Sequence, residues 1–92
     1  MKHKNLRDIT TELVQITQLE TTQPLEILGS YLVGALIVDE AGFELAHQHK
    51  TLERIAEIGS DLEIKNGSPA ALKSLWQEAK LLITDLDSSA KT

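Results

Sequence analysis

Glu40, Glu44 and His47 stand four and three residues apart. On an α-helix that spacing puts all three on one face. Glu-x-x-His is the pattern by which ferritin-like di-iron bundles set a carboxylate and an imidazole side by side. A two-fold axis would bring a second copy of the set, enough donors for a transition metal. The full di-iron pattern also needs a second Glu-x-x-His and two further carboxylates on other helices. The chain has no second motif. The ordinary expectation for Glu40, Glu44 and His47 is therefore an exposed helix end. A metal site is the sharper alternative, and no cofactor is expected. His49 lies two residues beyond His47 and faces another way on a helix.

Other reactive patterns are thinner. The chain has no cysteine, hence no disulfide, thiolate ligand or thiol nucleophile. Ser30 follows Gly29, but Leu-Gly-Ser-Tyr-Leu lacks the second glycine of a G-x-S-x-G elbow. No P-loop and no G-x-G-x-x-G occurs. The carboxylate pairs Asp39-Glu40 and Asp85/Asp87 carry no sign of a buried acid–base site. The expectation is a protein that is not an enzyme.

Charge is uneven along the 92 residues. From residue 8 to residue 49 there is no Lys or Arg, and the stretch carries seven carboxylates. The whole chain has a net charge of −5. An acidic surface of this kind repels nucleic acid and anionic membranes and attracts basic proteins. Aromatic residues are 3 % of the chain, too few for base stacking. Asp39, Glu40 and Glu44 are the candidates for contact with a basic partner. The longest uncharged run, 27–38, is twelve residues. A membrane span needs about 20. No secretory leader is visible behind the basic start, and a soluble, cytoplasmic protein is expected.

Helical spacing dominates the elements that must carry these residues. Fifteen Leu and eight Ile stand against three Val, a composition that favours helices packed on helices. Leu6, Ile9, Leu13, Ile16 and Leu19 define a first helix over 5–19, with Asn5 as its cap. Pro24 suits the first turn of a second helix over 24–47, with Thr22 as a candidate cap. Leu52, Ile55 or Ala56, Gly59 and Leu62 define a third over 50–65, and the alternative is one long helix that fuses the second and third. Asn66-Gly67 stops it, with either residue able to take a left-handed conformation. Ser68-Pro69 starts a fourth over 69–87, built on Leu72, Leu75 or Trp76, Ala79, Leu82 or Ile83, and Leu86. Residues 1–4 and 88–92 are expected to fray.

On a continuous second helix, Ser30, Gly34, Val38, Gly42 and Ala46 recur every four residues. Such a row of small side chains lets another backbone approach closely. A chain of this length buries only about 60 % of its unfolded surface, so a homodimer through that row would enlarge the core. The rival arrangement is a β-hairpin over 32–46. Leu32 to Val38 would form one strand, Asp39-Glu40-Ala41-Gly42 the turn and Phe43 to Ala46 the return. The stretch from Gly34 to Ala46 resembles the first hairpin of roadblock-type dimerisation domains, which implies an α+β dimerisation module.

The sequence thus points to an all-α bundle of three or four helices in one domain over residues 1–92. The expected role is a non-enzymatic protein-binding or regulatory one, acting as a homodimer with an acidic face for a basic partner. The alternatives are a helical metal-binding protein and a roadblock-like dimerisation module.

Overall fold

A computed structural model describes residues 5–37 and 40–90, with the backbone alone at 37, 40–43 and 90. The first helix, α1, runs Leu6–Thr17. Asn5 caps it: its side-chain oxygen accepts the Asp8 N–H at 2.9 Å, satisfying one of the orphan donors of the first turn. Ile9, Leu13 and Ile16 form the buried face. Thr10 is buried beside them, and its hydroxyl donates to the Leu6 carbonyl at 2.7 Å, which removes the cost of enclosing it. The helix closes two residues before the expected end. The Leu19 N–H bonds the Ile16 carbonyl, and the Leu19 side chain is left exposed.

The second helix, α2, runs Leu25–Ile37. Pro24 sits just ahead of it, and its carbonyl accepts the N–H groups of Ile27 and Leu28. Thr22 is not the cap, because its hydroxyl donates backward to the Leu19 carbonyl. Next come α3, Glu40–Gln48, and α4, Lys50–Glu63. The continuous helix expected over 24–47 is thus described as two, and residues 38 and 39 fall outside the described set. No fusion with α4 occurs, since His49 takes extended backbone angles, φ −121° and ψ 110°.

The hairpin expectation is corrected. Residues 32–37 and 40–46 are helical, and no strand occurs among the described residues. The physical reason is burial on one helical face. Leu28, Leu32, Ala35 and Leu36 are buried at the i, i+4, i+7, i+8 spacing of a helix stripe, not the alternation of a half-buried strand. The roadblock-like arrangement goes with the hairpin.

The left-handed turn after α4 falls on Lys65, at φ 55°, and Gly67 takes φ 141°. Asn66 stays out of that region and bonds back to Asp61 through both its backbone and its side-chain N–H groups. Ser68 then caps the last helix, α5, which runs Pro69–Ala90. Its hydroxyl accepts the Ala71 N–H at 3.1 Å. The helix continues past the expected end at 87 and takes in residues 88–90, because buried Leu86 anchors its last turns.

Among the described residues, five helices form an all-α bundle. Helix α1 packs between α2 and α5, α4 packs against both of the same helices, and α3 rests on α4 and α2. The shared core contains Ile9, Leu13, Leu32, Ile58, Trp76 and Ile83. Where the sequence left pairs open, Ile55, Trp76 and Ile83 take the buried positions. The radius of gyration, 12.4 Å, matches the ~12 Å expected of a compact chain of this length.

The tightest crossing is α2 on α4, where two glycines meet. A methyl group placed on Gly29 would lie 2.6 Å from the Gly59 carbonyl oxygen, and one on Gly59 would lie 3.0 Å from the Gly29 carbonyl. Here the missing side chains are what lets the two backbones touch.

Candidate functional site

Between α1 and α2 lies an open groove of about 460 Å³. Its floor is apolar: Ile16 and Leu19 from α1 and the turn after it, Tyr31 and Ala35 from α2. Glu12 and Gln15 line the α1 wall, and Ser30 and Gly34 line the α2 wall. Leu19 is 37 % and Tyr31 43 % exposed. Among the described residues, and outside its own stretch of helix, no heavy atom comes within 4 Å of a methyl group placed on Gly34. The groove therefore has a flat place on α2 where another backbone can lie close.

The groove arises because α2 is apolar on more than one face. After Glu26 it carries no charge through Ile37. Its Leu28, Leu32, Ala35 and Leu36 stripe faces the core, so Ile27 and Tyr31 have apolar surface left over. A helix apolar all round is ordinarily covered all round.

One carboxylate, Glu12, lines the groove. Ser30, on the α2 wall, donates its hydroxyl hydrogen to Glu63 of α4 at 2.6 Å. Lys65, which the exit of α4 brings to α2, pairs with Glu26 at 3.3 Å.

A second depression, about 530 Å³, lies beside Trp76, Leu25, Pro69 and Lys73. Glu20 reaches into it from the α1–α2 connection and accepts the Trp76 indole N–H at 2.6 Å and the Lys80 ammonium at 3.0 Å. The indole hydrogen bond, and after it the lysine, hold the Glu20 carboxyl below its usual range. This cluster ties the connection to α5. Its donors and acceptor satisfy one another. Nearby on α4, Arg54 grips Glu78 through two nitrogens at 2.6 and 2.9 Å, which lowers the carboxyl's affinity for a proton.

The five residues of the small row are not all brought together. Ser30 and Gly34 share the α2 wall of the groove. Ala46 is 6 % exposed and belongs to the core. Gly42 is described on α3 by its backbone only, and Val38 lies outside the described residues. Of the residues expected to meet a basic partner, Glu44 is exposed on α3, Glu40 is described by its backbone, and Asp39 lies outside the described residues. His47 is exposed on α3. Among the described residues no three histidines or carboxylates come together as a metal site. His49, at the α3–α4 break, has its Nδ1 enclosed without a hydrogen-bond partner.

Sequence reasoning missed Glu12, Ile16, Leu19, Tyr31 and Ala35 as a site. The signal that could have found them is the excess of apolar residues on α2 beyond one stripe. No helix among the described residues is long and apolar enough to cross a membrane. Comparison with protein-family models, with curated proteins and with solved structures gives no match.

Proposed function

We propose that the protein is a non-enzymatic helical domain that binds other proteins through the α1–α2 groove. The observation that carries this reading is the open apolar floor of Ile16, Leu19, Tyr31 and Ala35 on a chain whose core is already closed. Apolar surface gathered in a concave place is where partners dock.

Selection of displayed helical peptides against the wild-type protein tests the reading, with counter-selection on Tyr31→Asp. Enriched peptides that lose binding to Tyr31→Asp support it. A selection that yields no peptide, or only peptides indifferent to Tyr31, refutes it.

Self-association is a second reading, favoured by the open space above Gly34. Helices approach to about 8–10 Å between axes where side chains at the crossing are small, and a second α2 could supply the facing backbone.

A further inference from the structure

We propose that Asn66, in the α4–α5 turn, is a site of spontaneous covalent modification, at which the Gly67 nitrogen attacks the Asn66 side-chain amide. The chain has two asparagines, and only Asn66 precedes a glycine. Gly67 has no side chain to shield its nitrogen from an approaching carbonyl. Residues 63–70 are all exposed, and Asn66 and Gly67 lie between the two helices. The Gly67 N–H is outside any helix ladder and bonds back to the Lys65 carbonyl at 3.0 Å, a γ-turn contact. Asn5 is the built-in comparison. It precedes Leu6, and its side-chain oxygen accepts the Asp8 N–H as the α1 cap.

The step balances with water as its only co-reactant. The Gly67 nitrogen gives up its proton and bonds the side-chain carbonyl carbon of Asn66. The Asn66 side-chain nitrogen leaves as ammonia, and a cyclic imide, a succinimide, closes. Water then adds to either imide carbonyl and breaks its bond to the nitrogen. One opening gives aspartate at position 66. The other gives isoaspartate, in which the chain runs through the side-chain carbons.

Asp61 bears on both ends of this reaction. Its carboxylate accepts the Asn66 side-chain N–H at 3.2 Å, and its backbone carbonyl accepts the Asn66 backbone N–H at 2.9 Å. The first bond must break before the amide can swing onto Gly67, so Asp61 restrains the attack. After conversion that donor is gone, and an aspartate there is a second anion beside Asp61. Isoaspartate also inserts a methylene into the backbone, next to Lys65 at φ 55°. Lys65 pairs with Glu26 of α2 at 3.3 Å. The modification therefore loosens the end of α4 where it is tied to α2.

The test incubates the purified full chain in mildly alkaline buffer beside a synthetic peptide covering residues 61–71. Peptide mapping by mass spectrometry reads conversion at Asn66 and Asn5, and fragmentation tells isoaspartate from aspartate. The expected result is acid at position 66, with isoaspartate present, and an unchanged Asn5. Asp61→Ala, checked for folding by circular dichroism, should convert about threefold faster than wild type, the worth of one exposed hydrogen bond. Asn66→Asp should melt about 4 °C below wild type, from the lost bond and the added like charge. An Asn66 that is still wholly an amide once the peptide has converted overturns the site. Aspartate without isoaspartate overturns the attack by Gly67, because direct hydrolysis of the amide gives aspartate alone. A folded Asp61→Ala no faster than wild type overturns the restraint, and an Asn66→Asp as stable as wild type overturns the loosening.

Discussion

Gly29→Ala and Gly34→Ala make the same chemical change on one helix and should move stability in opposite directions. In an exposed helix interior, replacing Gly by Ala stabilises by about 1 kcal/mol, because the unfolded chain loses freedom and the helix gains a better former. Gly34 is such a site, with nothing within 4 Å of the added methyl. At Gly29 the same methyl meets the Gly59 carbonyl oxygen at 2.6 Å, Leu62 Cβ at 2.6 Å and the Glu63 nitrogen at 2.8 Å. Ordinary contact begins at about 3.5 Å, so α2 and α4 must part by about 1 Å. The obstructing atoms are backbone and Cβ, which no side-chain rotation removes. Overpacking costs about 1–3 kcal/mol, occasionally more. The rigid obstruction puts Gly29 at the upper end, so after the helix gain Gly29→Ala should lose about 2 kcal/mol. Gly59→Ala, with its nearest atoms at 3.0 Å, should fall between the two. For a domain of this size 1 kcal/mol moves Tm by about 4–8 °C. Gly29→Ala should therefore melt about 8–16 °C below wild type and Gly34→Ala a few degrees above it. Far-UV circular dichroism during heating and in urea reads both. A Gly29→Ala protein as stable as wild type would refute the close crossing, and a destabilised Gly34→Ala would refute the open groove wall.

Glu20 should give the protein an acid-sensitive step. Its carboxyl is held below the ordinary value of 4.5 by the Trp76 indole and then by Lys80, so its contribution is full above that value and fades as pH falls through the lowered one. Trp76 emission should change over that acid range in wild type and lose the step in Glu20→Gln; matching profiles would count against the contact. For self-association, light scattering of wild type and Gly34→Leu is the measurement. A dimer through Ser30 and Gly34 should weaken roughly ten- to a hundredfold on overpacking, and a wild type that stays monomeric at high concentration removes the second reading.

The local features were legible because they are written within a few residues of one another. The Ile9, Leu13, Ile16 stripe and the Leu72-to-Leu86 stripe repeat at helical spacing, and the side chains of Asn5 and Ser68 accept N–H groups three residues on. Hydrogen bonds that close within one turn need no distant partner. Around Pro24 and Lys65 the same local rules misplaced the caps. There several residues offer comparable chemistry, and the packing of the flanking helices selects among them.

What the amino-acid sequence by itself determined is the helical character of the chain, the buried stripes of α1, α4 and α5, and the acid excess over 8–49. What only the tertiary structure decided is which apolar face of α2 meets the core and which of its glycines meets another helix. Gly29 and Gly34 look alike in sequence, yet one lies against Gly59 and the other faces open space. Glu20 and Trp76 lie 56 positions apart, beyond the reach of any local pattern. The groove follows from the same cause. A helix apolar on several faces has several nearly equivalent ways to pack, and the choice is made by the shapes of α1, α4 and α5 closing around it.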